Sequence, residues 1–321
     1  MKRNDRRFAV TRSVRSGKET RVDGIINVYK EKGYTSFDVV ARLRGILKTK
    51  KIGHTGTLDP DAEGVLPVCI GSATKLCDLL TDRSKEYTAV LRLGVVTDTQ
   101  DMAGTVLRTG TIPEDEELVK RTVLSFIGEY DQIPPMYSAL KVNGQKLCDL
   151  ARRGIEVERK PRHVMIHEIE VMEMALPLVT MHIHCSKGTY IRTLCQDIGE
   201  RLGCGGCMQH LVRTRVSEFM LDQAVTLDTI ERFRDEGRLD ELLLPVDTVF
   251  STLAPVRVRL EAQRLLDNGN PLRLSQTESA ENVCFADGGQ VRMYHNDGRF
   301  CGIYAYQEQG RMLKPVKIFS L

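Results

Sequence analysis

The sequence predicts an α+β fold built on a mixed sheet, followed by a small β-rich domain. Three observations carry this. Strand-like and helical stretches are interspersed without a regular βαβ period, which argues against a doubly wound parallel sheet. Past residue 250 the chain breaks into short strand-like runs separated by DNGN, ADGG, NDGR and EQGR, turn chemistry that marks a small all-β unit. At 321 residues the chain can hold one large core and a smaller one, since single cores stop growing near roughly 250 residues.

Taken in order, GIINVYKEKGYTS reads as a strand entering a glycine turn. In SFDVVARLRGILKTKK, the residues Val39, Val40, Leu43, Ile46 and Leu47 recur at helical spacing behind a Ser36 or Thr35 cap. GVLPVCIG is apolar throughout, as a buried strand would be. SATKLCDLLTDRSK reads as a helix, and KEYTAVLRLGVVTDTQD alternates Tyr87, Ala89, Leu91 and Leu93 on one strand face. IPEDEELVKRTVLSFIGEY opens on proline and acids before an apolar stripe, which predicts a helix. Pro134, Pro135 and Asn143-Gly144 make the next stretch a loop, and KLCDLARRG is a short helix ended by Gly154. HVMIHEIEVMEM and LVTMHIHCSKG are consecutive alternating strands, with His182 and His184 on one face as ordinary strand residues. TYIRTLCQDIGERLG is a helix closed by Gly203, and MQHLVRTRVSEF another strand. The expected units are an arm at 1–21, a main domain at 22–250 and a β-domain at 251–321.

Composition narrows the function classes. No run approaches the roughly 18 apolar residues that span a bilayer, so no membrane role is expected. Nine cysteines are scattered behind no apolar signal segment. They fit free thiols in a reducing compartment, and a cytoplasmic location is expected. CGGCMQH offers Cys204, Cys207 and His210 but no second CxxC at ligand spacing, so it reads as a glycine-rich loop and not a metal site. The net charge of +3 hides an asymmetry: the arm carries +6 and the rest of the chain −3. Such an arm suits a polyanion, a mitochondrial presequence or an idle solvated tail.

The densest chemistry is GHTGTLDPDAEG, residues 53–64, with His54, three carboxylates, three glycines and a proline. Read as a calcium loop, Asp59, Asp61, Glu63 and Gly64 fill positions 1, 3, 5 and 6, but Pro67 and Ile70 stand where positions 9 and 12 need ligands. Two readings remain. Asp-Pro-Asp is ordinary turn chemistry, whereas a turn clamped between a helix and a buried strand can hold a catalytic carboxylate in fixed geometry.

GHTGTLDPDAEGVLPVCIGSATK resembles the signature of the TruB family of tRNA pseudouridine synthases. KEYTAVLRLGVVTDTQDMAG, IPPMYSALKVNGQKL, CSKGTYIRTLCQDIGERLG and HLVRTRVSEF follow at family-like intervals, so the likeness spans residues 24–250. It implies a pseudouridine synthase fold with a mainly antiparallel sheet and flanking helices. The β-rich tail is similar to the barrel-like PUA-type RNA-binding domain that follows many members. One departure is Glu31, standing where the family has a proline after Lys30.

The resemblance implies conversion of uridine 55 in the tRNA T-loop to pseudouridine, with no cofactor or metal, by a monomer that needs no protein partner. Asp59 would attack the ribose or take the C2′ proton, leaving Asp61 and Glu63 as turn carboxylates. Arg192 would pair with Asp59, keep it ionised and lower its pKa. Tyr87 would stack on the target uracil, Tyr190 and Leu211 would line its pocket, and His54 would hold extruded nucleotides. Lys75, Lys30, Lys141 and the arm would meet the phosphate backbone. Two rivals are a non-catalytic RNA-binding or RNA-folding protein and a guide-RNA-dependent enzyme.

Overall fold

Glu63–Ile70, apolar along nearly its whole length, lies inside a nine-stranded sheet and is covered on both faces. The computed structural model describes residues 22–279 and 285–319; the basic arm, 1–21, lies outside the described residues. The chain runs β1 (Gly24–Lys30), α1 (Ser36–Leu47), β2 (Ile52–His54), β3 (Glu63–Ile70), α2 (Cys77–Thr81), β4 (Lys85–Leu93), β5 (Val95–Thr97), β6 (Val106–Thr109), α3 (Glu116–Leu124), β7 (Gly128–Gln132), β8 (Lys141–Val142), β9 (Gln145–Lys146), α4 (Leu147–Ala151), β10 (Arg162–Ala175), β11 (Leu178–Cys185), α5 (Ile191–Arg201), β12 (Gly206–Val216), β13 (Phe219–Met220) and α6 (Leu227–Asp235). The main sheet has the order β1-β3-β12-β4-β11-β10-β7, with β2 added to β3 and β13 to β12. Every pairing is antiparallel except β3 with β12.

The two faces of β3 explain its composition. Leu66, Val68 and Ile70 pack under α1 and α6 with Val39, Leu43 and Ile230. Val65 and Cys69 point the other way, toward Phe250, Ile303 and Phe319. Further along the sheet, α3 and α5 cover Leu91, Met181 and Ile183 with Val119, Leu194 and Ile198. Helix α1 starts at a capping box in which Thr35 accepts from the Asp38 N–H and Asp38 accepts from the Thr35 N–H.

The expected β-rich tail is a barrel-like sheet formed by β14 (Ala254–Val258), β15 (Leu272–Arg273), β16 (Thr277–Ser279), β17 (Gln290–Tyr294), β18 (Phe300–Gln307) and β19 (Met312–Ile318), with α7 (Gln263–Asp267) beside it. Phe250, Phe300 and Phe319 stack where it meets β3, the last two with ring centroids 5.6 Å apart.

Among the described residues, the one parallel strand pairing in the main sheet sets up the Asp59 loop. It joins Glu63 to Val212 and Gly64 to Arg213. Gly64 has φ +106°, and a Cβ there would stand 2.2 Å from the Arg213 carbonyl oxygen. Only glycine admits so close an approach. Gly64→Ala is expected to destabilise the fold by about 2 kcal/mol or more, read by urea denaturation; a change below about 0.5 kcal/mol would show that the two backbones are free to separate.

Candidate active site

Residues 56–62 cross from β2 to β3 without joining a strand ladder, so their carbonyl groups need other partners. Two buried cations supply most of them. Arg213, on β12, donates from Nη2 to Gly56 O at 3.2 Å, from Nη1 to Thr57 O at 3.5 Å and from Nε to Val65 O at 2.7 Å. Lys30, at the end of β1, donates from Nζ to Pro60 O at 3.1 Å, Ala62 O at 2.5 Å and Glu31 O at 3.2 Å. Ser36, the first residue of α1, takes the Leu58 N–H on its Oγ at 2.8 Å. The Gly33 N–H also donates to Pro60 O at 2.9 Å, so the turn after β1 is tied to the loop.

Asp59 stands in this held loop and faces Arg192 from the first turn of α5. The pair is bidentate: Nε lies 2.9 Å from Oδ2 and Nη2 donates to Oδ1 at 3.2 Å. The guanidinium is itself locked. Nη1 donates to Thr99 O at 2.9 Å and Nη2 to Tyr137 O at 2.7 Å, while Asp101 Oδ2 stands 3.8 Å from Nε. Gln132 anchors the start of α5, donating to Tyr190 O at 3.0 Å and accepting from the Tyr190 N–H at 2.7 Å.

Asp59 opens onto a cleft of about 320 Å³ whose walls include Leu58, Lys85, Tyr87, Tyr137, Ser138, Tyr190, Leu211 and Arg213. About 37% of the Asp59 side chain is accessible, yet protein crowds it from the remaining directions. Burial is the largest influence on its pKa and pushes it above the ordinary carboxylate value. Arg192 pulls it back only in part, and Asp101 pushes it up again. This corrects the expected depression by Arg192: the cleft removes more hydration than one shared guanidinium restores.

Tyr87 and Leu211 come from adjacent strands. Register places Tyr87 opposite Arg213 and Leu211 opposite Ala89, and alternation puts Tyr87, Leu211 and Arg213 on the face that borders the cleft. Tyr87 is nearly buried and hydrogen-bonds Arg213; burial raises its pKa to about 12 despite that cation. Tyr190 borders the cleft from the Thr189 side, and burial raises its pKa as well.

The remaining expected residues lie elsewhere. His54 is half-buried at the end of β2, outside the cleft lining, with Nδ1 accepting from the Gly56 N–H at 3.3 Å; burial lowers its pKa. Lys75 is exposed and donates to Ile318 O at 2.9 Å, bridging to the C-terminal sheet. Lys141 is exposed in the β8–β9 hairpin. The expectation that Lys30 meets a phosphate is corrected: its side chain is wholly buried and its ammonium is spent on three carbonyls, so it shapes the Asp59 loop from within. Burial lowers its pKa to about 8.

Asp61 is exposed in the turn. Glu63 accepts from Tyr29 Oη at 3.1 Å and pairs with His210 Nε2 at 2.9 Å, stitching β1, β3 and β12 together. Cys204 and Cys207 are buried, and His210 is engaged by Glu63.

Sequence reasoning missed Lys85, Ser138 and Arg213 as cleft residues. Two carried a readable signal, because Lys85 stands two positions before Tyr87 and Arg213 two after Leu211, on the same alternating faces. Ser138 had none, lying in an irregular loop between Pro135 and β8.

The chain matches known proteins along most of its length. The N-terminal domain of the TruB family pseudouridylate synthases matches residues 44–191, and the tRNA pseudouridylate synthase B C-terminal domain matches residues 192–251. A tRNA pseudouridine synthase B of Lachnoclostridium phytofermentans is 53% identical, covering 93% of this chain and 100% of the relative. One of Bacillus pumilus is 39% identical over 93% of this chain and 98% of its own. Among solved structures, an H/ACA ribonucleoprotein bound to a substrate RNA containing 2′-deoxyuridine superposes with a TM-score of 0.69 at 25% identity, over 93% of this chain and 85% of that one.

The opposed influences on Asp59 can be separated. Carboxyl NMR is expected to place the Asp59 midpoint above the ordinary 3.8, and Arg192→Gln should move it further up, because the one strong counter-charge is gone. A wild-type midpoint at or below the ordinary value would mean that the ion pair outweighs burial.

Proposed function

The chain belongs to the TruB family of tRNA pseudouridine synthases, and from that premise we propose that it converts uridine 55 of the tRNA T-loop to pseudouridine by a base-flipping, Asp59-dependent route. Family membership makes it an isomerase acting on tRNA. The position modified, the flipped base and the roles of individual residues form the proposal.

The observation that carries it is Asp59 held bidentately by Arg192 on the wall of a cleft with Tyr87, Tyr190 and Leu211. A cleft of about 320 Å³ lies within the size range of small-ligand pockets and suits a single nucleotide, not a duplex. A stacked uridine cannot reach Asp59, so the base must leave the stack at a cost of a few kcal/mol. Tyr87 offers the everted ring an aromatic face, and Tyr190 and Leu211 exclude water around it.

The reaction conserves every atom of the nucleotide, so no external oxidant, reductant or group donor enters. The C1′–N1 bond breaks and its electron pair leaves with the uracil. Asp59 then either bonds C1′ or accepts the C2′ proton. The ring turns and C5 bonds C1′ as the Asp59–C1′ bond breaks or, in the other route, as Asp59 returns the proton to C2′. The C5 proton is released and N1 takes one up. A fixed carboxylate above its ordinary pKa serves either role, since higher basicity accompanies stronger nucleophilicity and proton affinity.

Selection of the T-loop would come from shape and phosphate contacts. Lys75, Lys141 and the arm at 1–21 would follow the backbone, with His54 near the everted nucleotide and the C-terminal sheet acting as a PUA-type RNA-binding surface. We place the enzyme in the cytoplasm as a cofactor-free monomer.

RNA labelled with tritium at uracil C5 is expected to release label with the native chain and none with Asp59→Ala, while both bind tRNA. Equal release from the two proteins would overturn the assignment to Asp59. The likeness to a ribonucleoprotein favours a guide-dependent enzyme as a second reading, which turnover of a bare T-arm by the purified chain would exclude.

A further inference from the structure

Lys85 is a buried cation that the scheme above leaves unused. It opens β4 two residues before Tyr87, on the same face, and lines the same cleft. It is 7% exposed. Its ammonium donates to Thr81 O at 2.6 Å and Arg83 O at 2.5 Å, which occupies two of three protons. Among the described residues, no carboxylate stands in ion-pairing reach of Nζ; the neighbouring Asp82 is engaged by Lys187 at 2.9 Å.

The other cations around the cleft are committed. Arg192 is shared among Asp59, Thr99 O and Tyr137 O. Arg213 is taken up by Gly56, Thr57, Val65 and Tyr87. A buried charge without a counter-ion is costly, and the cleft that Lys85 lines is where the substrate would bring one.

We propose that Lys85 is a catalytic residue whose free ammonium proton is donated to the uracil ring, stabilising the negative charge that appears on it when the glycosidic bond breaks. This rests on the pseudouridine synthase reading. When C1′–N1 breaks, the electron pair leaves on uracil as its N1 anion, with charge shared onto O2 and O4. Bound uridine is neutral, so a cation fixed at the ring acts on the transition state far more than on the ground state. A phosphate is the poorer occupant, because Lys85 is 7% exposed and shares its strand face and cleft with Tyr87, and burying a hydrated phosphate there would cost more than burying a neutral base.

The same charge must be present for turnover. Burial lowers the Lys85 pKa to about 8, with Arg213 and Lys187 pushing the same way and Cys185 and Asp82 opposing. Lys85 is therefore protonated below that pH and loses its charge above it. Lys30 has a similar value, so an alkaline decline alone would not identify Lys85.

Lys85→Met should lower the single-turnover rate on uridine-containing T-arm RNA by about 10²–10³-fold, as removal of one charge-stabilising donor does, with tRNA affinity retained. With 5-fluorouridine at the target position, cleavage followed by chromatography of digested RNA should lose much less. Fluorine already stabilises the departing anion, whereas a merely structural defect would slow both substrates equally. Equal losses, or a uridine rate close to wild type, would overturn the proposal. If Lys85→Met does not fold, Lys85→Arg carries the test: the alkaline limb near pH 8 should move upward, and a limb left in place would assign it to Lys30 and refute the role of Lys85. Failure of the pseudouridine synthase reading is distinguishable, because the wild-type chain would then release no tritium at all.

Discussion

Two buried cations grip the backbone of the Asp59 loop, and the site depends on that grip. A loop of this kind, with Gly56, Pro60 and two acids, has no ladder to satisfy its carbonyls and would otherwise stay hydrated and mobile. Lys30 and Arg213 hold Gly56, Thr57, Pro60 and Ala62 from inside the fold. Dehydrating each cation costs several kcal/mol, against about 1.5–3 kcal/mol for each charged hydrogen bond formed. Several bonds per cation bring the two sums together. A neutral donor such as serine could hold one carbonyl, whereas an ammonium or guanidinium gathers three and needs no acceptor of its own.

The same cations shape the electrostatics of the cleft. Asp59 feels Arg192 and, more weakly, Lys30 against the opposing Asp101 carboxylate, and burial still dominates by raising its pKa. Between its unfolded and folded pKa values, folded Asp59 holds more protons than the unfolded chain. Its contribution to stability therefore falls as pH rises through that window. The energetic strain is placed on the group that the proposed reaction uses. A carboxylate whose hydration has been replaced by one shared guanidinium is poised to gain from a new bond or a new proton.

How far the sequence could be read varies with the physical signal. The run GVLPVCIG announced a strand buried on both faces because its apolar residues do not alternate, and Tyr87 was legible because its neighbours do. Helix α1 declared its start through a Ser36 or Thr35 cap, and the cap is Thr35, with Asp38 completing the box. The buried cations were not legible. A lysine or arginine in isolation reads as solvated, and burial of Arg213 follows from a contact with Val65 across 148 residues of chain. Arg192 was expected beside Asp59 only through resemblance, since nothing local in TYIRTL distinguishes it from a surface charge. The direction of the Asp59 pKa was misjudged because charge partners can be inferred from a motif, whereas the depth of a cleft cannot.

Strand β3 links the chemistry to the rest of the molecule. It begins at the Asp59 loop, with Glu63 tied to Tyr29 and His210 and Gly64 pressed against Arg213. Its opposite face receives Phe250 and Phe319 from the chain entering and leaving the C-terminal sheet. Lys75, just past its end, reaches across to Ile318 O. An apolar, ring-stacked junction of this kind resists hinge motion more than the polar interfaces usual between domains. The distance from Asp59 to the C-terminal sheet is thereby set by one strand with both faces occupied. An RNA contacted by both surfaces would have to match that spacing, which would give the proposed selection by shape a rigid basis without any reading of base edges.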